Sequence, residues 1–468
     1  MIIKRAIIRY ATYFSGVSTT AISIFLINYF LDSNEFAVWG VTHSLIYILS
    51  QLGQLTYVQY VEKYFPNLDD NEKRKTLYKF IKTTIAFFPV WFFVLVLLYF
   101  LNYFAKFNIT NIVYLFLMIT VSVVIEASIE IVSKYLLTKK ETIGLDKNEF
   151  IYSKFLRLFV FILLLINGFS IYHLLFTNIL LRAFLFFRII NFEKTPINIL
   201  LREILTVQIW DNNFTKIRYT FVAFGIKTLL ISFLNVLFLF YSNFAKSEAI
   251  AVASLGVLII NNLRPAVGSL TSLLSPMISQ NVEKSVKNSN LITNFLFVNS
   301  FSASLFLVIS VLFVYTYNFF FDIKALVGYS PDRVILLSIL ACTISSLYYP
   351  KLWHVKFSNL ETKLLKFLGS IFLMTLILFG TLPTNSDLFI FYIIFEVLVY
   401  IVSFILYRSQ FPSFKNKLSP TLYVSLLIVF LYLNNFGYLY LQLLIYFAFL
   451  VKDFKNVKSI LDSESLEQ

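Results

Sequence analysis

The sequence predicts an all-α membrane protein with 12 to 14 transmembrane helices, in two six-helix lobes around a central cleft, with cytoplasmic termini. Hydrophobic residues make up 59% of the 468 residues and charged residues only 14%, whereas a soluble domain carries roughly 25% charged residues. Apolar runs of about 20 residues, the length that crosses a bilayer core, recur along the whole chain. Lys and Arg gather in alternate loops, as they do in multi-spanning proteins.

Fourteen candidate spans are bounded by charged or turn residues. They cover 7–31, 36–61, 81–104, 112–137, 152–168, 170–190, 219–241, 249–280, 291–317, 333–350, 364–382, 386–407, 418–435 and 437–451. Only Asn167 and Gly168 separate the fifth span from the sixth, and residues 434–437 separate the last two. The span count therefore stays between 12 and 14.

The distribution of Lys and Arg orients these spans. A cytoplasmic N-terminus places 33 of the 39 Lys and Arg residues on the cytoplasmic side and 4 on the opposite side. This asymmetry predicts an even number of spans with both termini inside. It also accounts for the net charge of +14 through basic loops beside anionic membrane lipid, without nucleic acid as a partner.

The longest cytoplasmic connection, residues 191–218, divides the chain. Its apolar residues at helical spacing predict an amphipathic interfacial helix; they are Ile197, Leu200, Leu201, Ile204 and Leu205. The predicted domains are an N-terminal lobe of spans 1–6 (1–190), this linker (191–218), a C-terminal lobe of spans 7–12 (219–407), and two last spans with a cytoplasmic tail (408–468).

An internal correspondence supports two related halves. The polar turn that ends at Glu35 opens the second span, and the turn that ends at Glu248 opens the eighth, 213 residues later. Transporters are often built from repeated halves, and this offset favours two parallel bundles with a cleft between them.

Polar residues inside the spans are the candidate substrate-binding residues, because ionisable groups in lipid usually face a cavity or a partner. Arg264 lies within the eighth span, one helical turn after Asn261, and the 213-residue offset pairs it with Gln51. A guanidinium suits a phosphate group because its planar fork donates two hydrogen bonds at once. The predicted binding set is Arg264, Asn261, Lys227, Gln51 and Gln54. The alternatives are interhelical hydrogen bonding for the amides and a surface-directed Lys227.

Three carboxylates inside the spans are candidates for coupling to an ion. Glu126 and Glu130 share one face of the fourth span, where Glu130 can pair with Lys134, and Glu396 lies near the middle of the twelfth. An unpaired carboxylate in lipid takes up a proton or a cation readily. These side chains serve equally well as counter-ions to Arg264 or Lys227, and the sequence leaves both interpretations open.

Enzyme signatures are missing. The sequence has no P-loop and no GxSxG or HExxH motif. One cysteine, Cys342, and three widely separated histidines make no metal site. We therefore predict no enzymatic activity, no metal and no cofactor.

The N-terminal part of the sequence resembles the opening of the Wzx-type polysaccharide-repeat (O-antigen) flippases. Two segments carry the resemblance: Tyr29 to Gly40, with its turn DSNE, and 49–53 (LSQLG). These flippases belong to the multidrug/oligosaccharidyl-lipid/polysaccharide (MOP) exporter superfamily. Residues 247–253 (SEAIAVA) and 274–279 (LSPMIS) resemble the same family's seventh and eighth spans, whereas Ala37 stands where the family often has Gly.

The resemblance implies a substrate and a mechanism. It implies alternating access between two lobes that moves an undecaprenyl-pyrophosphate-linked oligosaccharide from the inner to the outer leaflet of the bacterial cytoplasmic membrane. It further implies a cationic cleft, in agreement with Arg264, coupling to protons or sodium, and the polymerase machinery of lipopolysaccharide synthesis as a partner.

Three other functions remain open from the sequence. A drug or metabolite antiporter of the same superfamily would use carboxylates such as Glu126 and Glu396 to bind a cation. A peptidoglycan-precursor flippase fits the fourteen spans. A membrane polysaccharide polymerase would need a large external loop, and all external loops here are short.

Overall fold

The computed structural model describes residues 2–54, 57–65, 68–105, 107, 109–139, 142–190, 197–206, 232–267, 293–294, 296–305, 307–309, 311–312, 337–345, 347, 366–371, 373, 377, 385–410, 418–433 and 439–466. Every regular element within these ranges is helical, and they contain no strand. The prediction of an all-α protein is confirmed for this part of the chain.

The helices follow one another with short connections. In order they are α1 (Ile2–Phe30), α2 (Ser33–Gly53), α3 (Tyr57–Tyr64), α4 (Asp70–Ala86), α5 (Phe88–Phe100), α6 (Ile112–Thr138), α7 (Thr142–Asn148), a π-helix (Glu149–Phe155), α8 (Leu156–Ile166), α9 (Ile171–Ile190), α10 (Ile197–Thr206), α11 (Ser232–Ser242), α12 (Ser247–Val267), α13 (Asn385–Gln410), α14 (Pro420–Leu433) and α15 (Leu439–Leu466). The described residues within 293–312 and 337–347 are helical as well.

Side-chain caps begin several of these helices. Asp32 accepts a hydrogen bond from the Glu35 N–H at 2.7 Å before α2, and Asp69 accepts one from the Glu72 N–H at 2.7 Å before α4. Each cap satisfies an N–H that has no partner in the first helical turn. At the first of these turns, partial burial of the Glu35 carboxyl and the nearby Asp32 carboxylate raise the pKa of Glu35.

The apolar helix surfaces require a membrane. Five described segments are long and apolar enough to cross one; they are Asp70–Phe100, Ile112–Thr138, Ile171–Ile190, Ser247–Arg264 and Leu388–Leu406. On α5, Phe93 is 60% exposed and Phe100 is 73% exposed. Water would oppose the exposure of such large apolar side chains along a helix, whereas lipid favours it. The chain is a multi-pass membrane protein.

The bounds of several predicted spans differ in the structure, as the second span and the last span show. The second, 36–61, is interrupted because α2 ends at Gly53 and α3 begins at Tyr57, with Gln54 in the turn between them. The last, 437–451, continues as α15 to Leu466. The added turns of α15 remain helical because they bury Asp453 and Val457 against neighbouring helices.

Spans 7 to 11 lie partly outside the described residues, as do the segments that join spans 8 to 11. The choice between 12 and 14 spans, the two six-helix lobes and the cytoplasmic termini therefore stay predictions.

The structure divides into two compact units. One contains Thr12–Ser254, and the other contains Met1–Ala11 with Leu255–Gln468, so the division falls within α12. The predicted domain bounds of 1–190, 191–218, 219–407 and 408–468 are not tested by this division.

Helix α6 forms the centre of the unit Thr12–Ser254. It packs against α2, α3, α4, α5 and α9. A Cβ added at Gly53 would lie 3.5 Å from the Ala127 Cβ, so two small residues let α2 and α6 approach closely. Small residues at crossings allow the close packing on which helix association in membranes depends.

A second apolar cluster joins α3, α4 and α10. The rings of Tyr57 and Phe80 stack with centroids 4.0 Å apart, and Ile204 of α10 is buried in the same cluster. The Lys82 Nζ donates to the Leu205 carbonyl at 2.5 Å, which satisfies a free C=O near the end of α10. The predicted linker helix is thus present, and within this unit it lies on α4.

The same unit contains a very close approach of α2 and α12. A Cβ added at Gly40 would lie 2.0 Å from the Ser254 Oγ, so only glycine fits there in this conformation. Just before α12 in the sequence, the Ser242 Oγ at the end of α11 lies 2.6 Å from the Tyr103 hydroxyl.

In the unit that contains Leu255–Gln468, α14 packs against α15. Val457 of α15 also contacts Phe297, Val298 and Phe301. The carboxylate of Asp453 in α15 accepts hydrogen bonds from the Ser419 Oγ and the Thr421 N–H at the start of α14, and these bonds join the two helices.

Candidate functional site

Glu126 and Arg182 form an ion pair between α6 and α9. The Arg182 Nε donates to the Glu126 Oε1 at 2.6 Å, and the Arg182 Nη2 donates to the Glu126 Oε2. The remaining Nη1 donates to the Ser153 Oγ of the π-helix at 2.7 Å. Two parallel N–H···O bonds make this a bidentate pair, the strongest geometry available to an arginine and a carboxylate.

Two further cations lie beside this pair, on the π-helix and at the start of α8. The Arg157 Nη2 donates to the Thr20 Oγ1 of α1 at 3.2 Å, while the Arg157 Nε is buried without a hydrogen-bond partner. The stem of Lys154 passes the bare backbone of Gly16, where an added Cβ would lie 3.5 Å from the Lys154 Cγ. Lys154 forms no hydrogen bond or ion pair with the described residues. The basic cluster, as we call Lys154, Arg157 and Arg182, thus has one carboxylate in direct contact, that of Glu126, and the carboxylate of Glu149 acts on all three charges at longer range.

The local backbone explains how these charges come together. Glu149–Phe155 is wound as a π-helix before the chain returns to α-helix at Leu156. A π-helical turn inserts residues and rotates the side chains that follow, and such turns occur frequently at functional sites. Here the turn carries Ser153 and Lys154, and Arg157 follows it.

Glu130 interacts with the two predicted glutamines. Its Oε2 accepts from the Gln51 Nε2 at 3.2 Å and from the Gln54 Nε2 at 2.5 Å. The structure therefore brings together three of the residues that the sequence singled out, in a link between α2 and α6. The bonds are those expected of amide side chains between helices.

Arg264 has a counter-ion in its own unit. Its Nη2 lies 3.3 Å from the Glu396 Oε1 of α13, and its Nη1 donates to the Tyr392 hydroxyl at 3.3 Å. The side chains of Arg264 and Glu396 are 6% and 0% exposed. Of the two readings that the sequence left open for Glu396, the counter-ion geometry is the one present here.

Two predicted binding residues, Asn261 and Lys227, remain. Asn261 is half-buried one turn before Arg264 on α12. Lys227 lies outside the described residues. No group of three His, Cys, Asp or Glu side chains in the described part of the chain is placed to hold a metal ion.

Sequence reasoning missed the basic cluster. Lys154, Arg157 and Arg182 fall within predicted spans, yet they were counted among the cytoplasmic charges that orient the chain. The available signal was the spacing of Lys154 and Arg157, which places two cations on one face of an otherwise apolar helix.

Comparisons with known proteins show which solved structures have a similar fold. No protein-family model matches the sequence, and no curated protein matches it. The chain resembles a solved structure of lipid II flippase MurJ in an inward closed conformation, at 13% identity and a TM-score of 0.63, with 99% of this chain and 100% of that chain covered. It also resembles the eukaryotic MATE transporter AtDTX14, at 10% identity and a TM-score of 0.57 over 86% and 94% of the two chains.

A third similar structure is the Vibrio cholerae MATE transporter VcmN, at 13% identity and a TM-score of 0.54 over 88% and 96% of the two chains. The chain therefore has the same fold as these solved transporters.

Proposed function

We propose that this chain is a flippase for an undecaprenyl-pyrophosphate-linked oligosaccharide repeat, of the kind used to build O-antigen, in the bacterial cytoplasmic membrane. It moves the substrate from the inner to the outer leaflet by alternating access of two lobes and carries out no covalent chemistry. One observation carries the proposal: a transporter fold contains a basic cluster in which Lys154 and Arg157 form no ion pair with a carboxylate of the described residues.

The physics of buried charge supports an anionic substrate. A cation within a membrane protein is costly unless an anion or a set of hydrogen bonds compensates it. Among the described residues, the Arg157 Nε–H and the Lys154 ammonium have no hydrogen-bond acceptor, while Glu126 and Glu149 act on both charges at longer range. A pyrophosphate supplies the acceptor oxygens that these two side chains lack.

The ion pairs give the proposed coupling a physical basis. Arg182 and Arg264 are neutralised by Glu126 and Glu396, so neither binds an anion while those pairs are intact. Uptake of a proton or a sodium ion by the carboxylate releases the arginine for the phosphate group. One transport cycle then uses both predicted sets of residues. The coupling set is Glu126, Glu130 and Glu396, and the binding set is Arg264, Asn261, Lys227, Gln51 and Gln54.

The whole-length similarity to lipid II flippase MurJ favours a second candidate, a flippase for a peptidoglycan precursor. Both functions move a lipid-linked pyrophosphate, so the basic cluster serves either one. Loss of viability on deletion of the gene would favour the peptidoglycan precursor, whereas viable cells without surface polysaccharide would favour the repeat-unit flippase.

A deletion strain complemented with variants tests the proposal. We expect complete lipid-linked repeats to accumulate in the inner leaflet, protected from an external glycosidase, with Lys154→Ala or Arg157→Ala. Loss of one charged hydrogen-bonded contact should weaken substrate binding about 10- to 100-fold. Arg188→Ala removes an exposed arginine from α9 and should leave transport unchanged.

Two results would contradict the proposal. Repeats that reach the outer leaflet without being polymerised would indicate a polymerase. A lipid profile unchanged by the deletion would indicate an antiporter that exports a drug or a metabolite.

A further inference from the structure

Asp453 is a buried carboxylate that the proposed function does not use. It lies in α15, just past the end of the predicted last span, and it is 1% exposed. Its neighbours Lys452 and Lys455 are exposed. Within the described residues Asp453 forms no ion pair, so its charge has no compensating cation.

The two oxygens of this carboxylate have different surroundings. The Oδ2 accepts from the Ser419 Oγ at 2.5 Å, from the Thr421 N–H at 2.9 Å and from the Thr421 hydroxyl. The Oδ1 is buried and has no hydrogen-bond partner within the part of the chain that the structure describes. The Oδ2 therefore caps the first turn of α14, while the Oδ1 can still accept a hydrogen bond or coordinate a cation.

Two hydroxyls bond the Asp453 carboxylate, and a third lies one hydrogen bond further away. Ser419 and Thr421 precede and begin α14, and the Ser419 N–H donates to the Ser300 Oγ at 2.8 Å. Ser300, Ser419 and Thr421 are each 0% exposed. Carboxylate and hydroxyl oxygens are the hard ligands that alkali and alkaline-earth cations prefer.

We propose that Asp453, with the hydroxyls of Ser419 and Thr421, binds a monovalent metal cation of the size of sodium. One carboxylate among neutral hydroxyls supplies a single negative charge, whereas calcium sites gather several acidic ligands. A proton on the Oδ1 would leave a buried O–H without an acceptor, so a metal cation satisfies this oxygen better. The site joins α14 and α15, and it stands whether or not the chain transports a lipid-linked glycan.

The unfolding temperature of the purified full chain tests the site. Protein is heated in sodium chloride, potassium chloride or choline chloride at equal ionic strength, without any transport substrate. We expect sodium to raise the unfolding temperature of the native chain by a few degrees over choline, because a ligand that binds only the folded state stabilises it. Asp453→Asn should lose this increase. Lys455→Gln, which changes an exposed residue of the same helix, should keep it.

A second variant covers the case in which Asp453→Asn does not fold. Thr421→Val keeps the carboxylate and removes one hydroxyl, so sodium should be needed at a concentration about tenfold higher for half of the increase. Equal stabilisation by sodium and choline in the native chain would overturn the proposal, and so would a full sodium effect in Asp453→Asn. Neither result bears on the flippase proposal, since no substrate is present.

Discussion

Arg264 and Glu396 are almost inaccessible to solvent, and their pairing accounts for both residues inside the membrane. We expect Glu396→Gln to lower the free energy of unfolding by about 3–5 kcal/mol, because it removes a counter-ion that contacts the buried guanidinium. The double variant Arg264→Met/Glu396→Leu should recover most of this loss, since apolar residues of similar size often replace a buried pair without cost. Chemical denaturation in detergent measures both.

The transport activity of that double variant separates two roles. A stable double variant that no longer moves substrate assigns Arg264 to transport as well as to folding. A double variant as unstable as Glu396→Gln would contradict the expectation that loss of the ion pair causes the destabilisation.

The sequence singled out several of these side chains but not the partners they have on other helices. Its spacing shows that Glu130 can pair with Lys134, one turn away, but not that Glu130 accepts hydrogen bonds from Gln51 and Gln54, which are more than 70 residues distant. Spacing within one helix reveals neighbours on that helix only. Partners on other helices depend on how the helices pack, and one sequence does not contain that information.

The crossing of α2 and α12 depends on a glycine. Gly40→Ala would place a methyl group 2.0 Å from the Ser254 Oγ, so the two helices must separate or Ser254 must move. We expect overpacking to lower the free energy of unfolding by about 1–3 kcal/mol. Adding Ser254→Gly should restore part of the loss because it removes the clashing side chain. Thermal unfolding of the two single variants and the double variant gives the coupling energy.

Gly53→Ala is the matched control for this crossing, since its added methyl group would make an ordinary contact of 3.5 Å with Ala127. If Gly40→Ala is no more destabilising than Gly53→Ala, the two helices are not in close contact in the protein.

Helix position was predictable where the apolar pattern was long and unbroken. The predicted span 112–137 coincides with α6 and the span 170–190 with α9, because each apolar stretch is enclosed by polar turns. The break after Gly53 and the π-helix at Glu149–Phe155 were not predicted. Both arise from contacts with other helices, through Gln54 to Glu130 and through Ser153 to Arg182, and no local pattern signals them.

The helical, membrane-spanning character of the described residues followed from composition, whereas the substrate did not. A chain with 59% hydrophobic residues and recurrent apolar runs has few options other than a helical bundle in lipid. The transporters with this fold include both a lipid flippase and MATE proteins, so the fold alone does not specify what is carried. The residues that would decide, Lys154 and Arg157, became visible only when the helices were assembled.

The orientation of the chain in the membrane is the last prediction. Because a cytoplasmic N-terminus places 33 Lys and Arg residues on the predicted cytoplasmic side and 4 on the other, we expect Asp69 and Lys452 on the cytoplasmic side and Lys246 on the external side. Cys342 is the single cysteine and is buried, so Cys342→Ser provides a background for Asp69→Cys, Lys246→Cys and Lys452→Cys, all at exposed positions. A membrane-impermeant maleimide should label Lys246→Cys in intact cells, and the other two only after permeabilisation. Labelling of Lys452→Cys in intact cells would mean an odd number of spans, and labelling of Asp69→Cys would mean an inverted chain. Either result would remove the basis for assigning inner and outer leaflets to the proposed transport.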